Sequence, residues 1–237
     1  MDINYAKQIL KKTVSDYNSI ADKYSRVREK DWKEMNFLFD KYLNSKDRVL
    51  DLGCGNGRFY NSFIEREVEY IGVDPSLNLI NIAKKNYPQG NFQIASGSFL
   101  PFADNYFDKV FSIAVLHHIP SIELRLQFLK EVRKVLKSGG YLILTVWDLK
   151  EKIKVGGIFD WFKKRKLDKG GVFLPWYGSK DTYFYSFDLE ELSDLAIESG
   201  FKIIKKGEIL VGERPYRNFY IVALKESEIK ENESCIK

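Results

Sequence analysis

The run Val49-Leu50-Asp51-Leu52-Gly53-Cys54-Gly55-Asn56-Gly57 restricts the fold of this chain more than any other segment. A short apolar strand feeds directly into three glycines in five positions, so the backbone can turn tightly and approach a ligand closely. A helix starting near Gly57 would present unpaired N–H groups to that ligand. The next apolar strand ends on Asp74. With Asp51 before the turn, this second acid makes the segment read as an adenosine-cofactor site, Asp51, Asp74 and the turn holding the polar ends. A glycine turn that only joins strand to helix explains neither acid, although Asp74-Pro75 alone is an ordinary turn opener.

Spacing narrows the choice of cofactor. A dinucleotide fold wants G-x-G-x-x-G, whose third glycine lets the helix pack closely beside a pyrophosphate. Arg58 stands at that position, and the glycines fall instead at 53, 55 and 57. This pattern resembles the first motif of methyltransferases that use S-adenosylmethionine (SAM), with an NAD site as the runner-up. The expected cofactor contacts are Asp51, Gly53, Cys54, Gly55, Gly57 and Asp74.

Strands and helices alternate from about Asp47 to Trp147, as in βαβ units of a parallel sheet covered by helices on both faces. Strands are expected near 48–52, 69–73, 91–95, 108–115 and 141–147, the last two long and apolar enough to be central. Ser121 is expected to cap a helix whose inward face is Ile122, Leu126, Leu129, Val132 and Leu136, with Gly139-Gly140 ending the connection. Asp188 and Glu191 make a capping pair for a helix ending at Gly200, and segments 201–211 and 216–224 form a closing antiparallel hairpin. Residues 4–27 and 31–43 carry helical periodicity with polar outer faces. The expected fold is α/β and Rossmann-like, in the class I methyltransferase version. A mostly parallel sheet finished by a hairpin fits it better than the repeated halves of a dinucleotide fold.

The 237 residues suffice for one large domain. It is expected over 1–225, with N-terminal helices over 1–46, a basic insert over 149–182 and a frayed, charged tail from Glu226. Two cysteines, Cys54 and Cys235, form no disulfide framework, and neither a signal peptide nor a membrane-spanning apolar run is visible. A soluble, cytoplasmic protein is expected. The whole chain carries a formal +5, and so does Leu149–Gly171 alone, where eight cations face three acids. Such a segment attracts polyanions, as nucleic-acid enzymes do when they position themselves on phosphates; a solvated loop is the plain alternative. Lys163, Lys164, Arg165 and Lys166 form its densest part.

A methyl group on a sulfonium is already activated, so the protein must place a nucleophile in line with it and exclude water. In open α/β sheets ligands lie beyond the carboxyl ends of the strands, at the switch in strand order. That rule points to the glycine loop and to the end of the fourth strand, Ile113-Ala114-Val115-Leu116-His117-His118. The only two histidines of the chain are there. Either can orient or deprotonate an acceptor, or simply bond a backbone carbonyl at a strand end. Two adjacent histidines and one loop cysteine lack a metal-site spacing, so no metal is expected.

Tyr17, Ile20, Ala21, Tyr24, Arg28 and Trp32 resemble the opening motif of the tRNA wobble-uridine methyltransferases that esterify a carboxymethyl group. Ser112-Ile113-Ala114-Val115-Leu116-His117-His118 is similar to their fourth-strand motif, with Arg125 following at the matching interval. Val172-Phe173-Leu174-Pro175-Trp176 resembles the segment after the family's variable insert, and Arg217-Asn218-Phe219-Tyr220 its closing strand. The resemblance runs from about Tyr17 to Leu224. It implies SAM as cofactor, tRNA as substrate, a small activator protein as a frequent partner, and His118 rather than His117 as the polar site residue. The acceptor in such enzymes is a carboxylate, already nucleophilic, so cations that orient it matter more than a strong base. Arg28 and Arg217 are the candidates and stand with His118 as the expected catalytic set. Tyr17, Ile113, Ser96 and Gly97 complete the expected cofactor contacts. Trp32, Arg125, Lys163 to Lys166 and Tyr185 are the expected substrate contacts. Arg28 also has a plain reading, as a surface ion pair with Glu29 or Asp31, and Trp32 as helix packing.

Two departures bear on the acceptor. Ser96 replaces an acid that in the resembled family accepts from the adenine amino group. Thr182 and Tyr185 stand where related enzymes have an arginine and a histidine, a change compatible with a rebuilt tRNA site using Tyr185 and Lys180. A small-molecule carboxylate or hydroxyl methyltransferase is the nearest alternative; an NAD-dependent oxidoreductase and a non-catalytic SAM-binding subunit are more distant.

Overall fold

The computed structural model describes residues 1–28, 30–150, 166–211 and 216–227, without the side chains of Lys180 and Tyr216. Most of the expected basic insert, including Lys163, Lys164 and Arg165, and the tail after 227 lie outside the described residues.

Seven strands form the main sheet: β1 (Arg48–Leu52), β2 (Glu69–Asp74), β3 (Phe92–Ile94), β4 (Phe107–Ile113), β5 (Leu136–Trp147), β8 (Lys202–Val211) and β9 (Tyr216–Leu224). Their order is β3-β2-β1-β4-β5-β9-β8. β1 to β5 run parallel, while β9 is antiparallel to both β5 and β8. The closing hairpin is therefore as expected. A second, two-stranded sheet pairs β6 (Gly171–Trp176) with β7 (Ser179–Tyr185).

Alternation along the central strands separates two cores. Leu50, Val110, Leu142, Leu144 and Val146 point to one face, where helix α5 (Ile122–Val135) supplies Phe128, Leu129 and Val132, and α6 (Leu189–Glu198) supplies Leu192 and Leu195. Val49, Phe111 and Ile143 point to the other, against α2 (Asn36–Tyr42) and α3 (Tyr60–Ile64). There the Phe39 ring stacks on Phe111 at 5.1 Å, and Phe63 meets both rings edge-on. Fully burying rings of this size is worth roughly 1.5–3 kcal/mol each, so the middle strands are fixed in register from both sides.

The first expected helix forms as α1 (Ile3–Val27), capped by Asp2, whose carboxylate receives the Asn4 and Tyr5 N–H groups. Asn18 ties it to the start of α4 (Leu77–Asn86), accepting from Ser76 Oγ at 2.9 Å and Asn78 N at 3.0 Å. The face expected for α5 is corrected: Ile122 is about half exposed, and the buried stripe includes Leu124, Phe128, Leu129, Val132 and Val135. The phase is set by Phe128, whose ring lies 2.3 Å from where a Cβ on Gly97 would stand. Gly139-Gly140 does not precede β5 but lies inside it. Asp188 does cap α6 by accepting from Glu191 N, but the Glu191 carboxylate receives the Tyr185 hydroxyl instead of completing a capping box.

Candidate active site

The glycine turn is built from both ends. Gly53 and Cys54 donate their N–H groups to the Val73 carbonyl at 2.7 and 3.0 Å, locking the turn to the end of β2. Gly53 sits at φ +84°, and a Cβ there would come within 2.2 Å of Val115 Cγ2, so no other residue fits without displacing the end of β4. Asp74 then clamps the turn: its Oδ2 receives the Gly55 N–H at 3.0 Å and its Oδ1 the Ser76 N–H at 2.8 Å. Asp51, 1% exposed, receives the Tyr70 hydroxyl at 3.0 Å.

Both acids are buried where few partners offset the loss of water. Burial pushes Asp51 up to about 7 against the opposing pulls of Tyr70 and Arg58, and Asp74 up to about 6 against its two backbone donors. Burial also pushes the Cys54 thiol well above its ordinary range, leaving it no nucleophile at neutral pH.

These groups open onto one cleft at the carboxyl ends of β1, β2 and β4. Its walls include Asp51, Gly53, Cys54, Gly55, Asp74, Ser96, Gly97, Ile113 and His118, and about 1080 Å³ of space lies inside, its open mouth included. A nucleoside-sized ligand fits such a space. α1 closes the cleft with a stripe of which the sequence motifs mark only a part: Leu10, Thr13 and Val14 stand beside the expected Tyr17, with Tyr24 beyond. Their spacing is the inward face of one helix, a signal that is present in the sequence.

His118 lies on the short helical turn Leu116–His118 after β4, reached through Ala114 at φ +60°. Its Nδ1 meets the Tyr183 carbonyl at 3.3 Å, so the proton sits there, and Nε2 accepts from the Tyr17 hydroxyl at 2.9 Å. Burial pulls the imidazole down to about 4, so it is neutral at physiological pH. His117 is fully buried, its Nδ1 meeting the Trp147 N–H at 3.4 Å.

Arg28 stands half-buried beside Trp147, which lines the cleft. Its guanidinium carbon lies 5.8–5.9 Å from the ring centres of Trp32, Trp147 and Trp176, and Nε donates to the Tyr177 hydroxyl at 3.0 Å. Of the surface partners considered for it, Asp31 instead receives the Ser62 hydroxyl at 2.7 Å, and Glu29 lies outside the described residues.

Several expected contacts are not brought to the cleft. Gly57 faces the Phe92 and Tyr87 rings. Trp32 is 8% exposed, edge-on to Phe59 and stacked under Arg58, which is its packing reading. Arg125 is committed to Asp168 at 3.0 Å and to the face of Tyr185 at 3.7 Å, and the Tyr185 hydroxyl is committed to Glu191. Both side chains are internal because α5, α6 and β7 converge on them. Arg217 is 52% exposed and paired with Asp148 and Glu208 at 3.6 and 3.5 Å. Lys166 is exposed, with Nζ 5.8 Å from the Tyr5 ring. Among the described residues no cluster of His, Cys, Asp or Glu is arranged to hold a metal ion, and no helix is long and apolar enough to cross a membrane.

The strand order reverses at β1 and β4, and an antiparallel strand, not a further parallel one, follows β5. That ending separates the sheet from the dinucleotide-binding one and defines a class I methyltransferase fold. Comparison with known proteins agrees. A family model described as "Methyltransferase domain" matches residues 50–144. A protein of Encephalitozoon cuniculi, carried under a provisional methyltransferase name, is 34% identical over 201 residues, covering 81% of this chain and 87% of its own. The tRNA (carboxymethyluridine(34)-5-O)-methyltransferase of Schizosaccharomyces pombe is 29% identical over 88% of both chains. Among solved structures, a SAM-dependent methyltransferase of Methanosarcina mazei superimposes with a TM-score of 0.69 at 24% identity, covering 81% of this chain and 98% of its own. A methyltransferase of Haloferax volcanii, solved in complex with the activator Trm112, does so with 0.67 at 16%, covering 90% and 97%. The chain belongs to the SAM-dependent methyltransferases.

Proposed function

We propose that this methyltransferase transfers the methyl group of SAM to the carboxylate of a carboxymethyl-modified wobble uridine in tRNA. The observation that carries the reading is Arg28, a cation without a carboxylate partner among the described residues, its guanidinium carbon 5.8 Å from the ring of Trp147, which lines the cofactor cleft. A guanidinium fork orients a carboxylate, and this one stands beside an indole of the cleft wall. The similarity to the S. pombe tRNA methyltransferase over most of both chains supports the same acceptor.

The cleft fits the cofactor: a Cβ on Gly55 would meet only the Tyr24 ring, at 3.9 Å, and two buried acids face a space lined by Ser96 and Gly97. When bound, SAM supplies an electrophilic methyl on a sulfonium. Asp74 would accept from ribose hydroxyls, Asp51 would face the methionine ammonium, and Gly53, Cys54, Gly55 and Ile113 would shape the cradle. Ser96 and Gly97 would face the adenine, and Tyr17 and His118 would wall the methyl end. Transfer to a carboxylate oxygen would form the new C–O bond as the S–CH₃ bond breaks, with a neutral thioether as the leaving group. No proton moves, so a neutral His118 held by Tyr17 serves as a positioning wall and not as a base.

A small-molecule carboxylate acceptor is the second reading. It is favoured by Thr182 and Tyr185, which stand where the resemblance places an arginine and a histidine and are spent on Asp16 and Glu191. The partner proposed alongside tRNA is a small activator protein, as in the Haloferax complex. Domain bounds of 1–225 and a basic insert acting on tRNA phosphates belong to the same proposal. Titrating tRNA binding against salt tests it. Replacing Lys163, Lys164, Arg165 and Lys166 with alanine should lower the slope of log K against log salt by ~0.7 for each phosphate no longer neutralised. A slope near zero for the unaltered protein would sink the RNA reading.

A further inference from the structure

In the sequence Arg58 does no more than spoil a dinucleotide motif, yet it is the most unusual charge in the fold. It is 8% exposed, lines the cofactor cleft, and stacks over Trp32 at 4.2 Å and Phe59 at 4.6 Å. Its Nη1 is fully buried and meets no hydrogen-bond partner among the described residues, and no carboxylate among them lies within ion-pair distance. A buried cation left in this condition is costly unless something else completes it.

The cleft also holds a buried charge of the opposite sign. Asp51 is close enough for Arg58 to favour its ionised form, and Asp51 in turn favours the charged form of Arg58, yet the two are not paired. An acid and a base facing one narrow space without touching match a ligand carrying both charges, an α-amino-acid zwitterion inserted between them. Arg28 is a second cation near Arg58. It does not line the cleft and is held by Tyr177, so the two arginines serve different positions.

We propose that Arg58 receives the methionine carboxylate of the cofactor, opposite Asp51, and that this charge pair, together with the glycine turn, selects an amino-acid-bearing nucleoside. The inference rests on SAM dependence and not on the identity of the acceptor, so it stands or falls separately from the tRNA reading.

Calorimetry with S-adenosylhomocysteine and with 5′-methylthioadenosine, which lacks the amino-acid end, tests it on the full chain without any acceptor. Arg58→Met keeps an apolar stem over Trp32 and removes the charge; Arg58→Lys keeps the charge. The expected result is a loss of at least tenfold in affinity for S-adenosylhomocysteine in R58M, unchanged affinity for 5′-methylthioadenosine, and partial recovery with lysine. Equal losses for both ligands would mean a structural role, and unchanged binding of both would mean that the charge takes no part in holding the cofactor. Either overturns the proposal. Should R58M fail to fold, the ratio of the two affinities in R58K decides instead: a selective loss for S-adenosylhomocysteine supports the proposal, and an unchanged ratio contradicts it.

Discussion

Asp74 fastens the Gly55 and Ser76 backbone through one carboxylate, and on the proposed reading its remaining lone pairs receive the ligand. Its pKa, like that of Asp51, stands above the ordinary aspartate value. The ligand-free fold therefore holds protons that an unfolded chain releases, and these two groups favour folding below about pH 4 and cost stability as pH rises through about 6–7. Ligand binding has the opposite sign, because hydroxyl and ammonium donors need ionised carboxylates. Affinity for S-adenosylhomocysteine should rise between about pH 5 and 7.5, with protons released on binding; calorimetry in buffers of different ionisation heat reads both. Asp74→Ala should weaken binding about tenfold or more, since it removes charge-assisted hydrogen bonds and the loop clamp together.

Among the elements, the β6–β7 hairpin is what the sequence did not disclose. The run Trp176-Tyr177-Gly178-Ser179 turns with Tyr177 at φ +46° and Gly178 at +115°. An aromatic residue at a position that favours Asn or Gly conceals a two-residue turn. The strain has a use, because the Tyr177 hydroxyl receives Arg28. Tyr177→Asn should raise stability by about 0.5–1 kcal/mol while releasing Arg28 and raising the acceptor KM; thermal melts and steady-state kinetics check the two halves. β1 and β2, by contrast, were legible to within a residue, because Val49-Leu50-Asp51-Leu52 runs into glycine and both strand faces are buried. The Ile122 face was misjudged because helical periodicity alone does not reveal that Phe128 seats on Gly97. In the site, the turn, Asp51, Asp74, Tyr17 and His118 could be read directly from the residues or the resemblance. The Leu10–Thr13–Val14 stripe was legible as a helix face but not as a cleft wall, which depends on α1 folding across the strand ends, and Arg58 and Trp147 could not be read at all, since only the tertiary fold brings them to the cleft. Arg125 and Tyr185 misled for the converse reason: polar side chains at motif positions were spent on each other, Asp168 and Glu191.

At the scale of the whole molecule, the strand ends supply a fixed floor, α1 supplies a roof buttressed by β7, and the cleft between floor and roof holds buried charges of both signs. Asp51, Asp74 and Arg58 face inward, where a cofactor's fixed charges belong. Arg28 stands beside Trp147 at the cleft wall, where the proposed acceptor would arrive. The measurement that tests the account most directly is incubation of the protein, with an activator subunit present, with methyl-labelled SAM and tRNA bearing carboxymethyluridine, followed by nucleoside analysis. The account predicts label on a wobble-uridine ester, released by mild alkali and lost in Arg28→Met. Label on a base or ribose atom stable to alkali, or transfer only to small carboxylates, would contradict it.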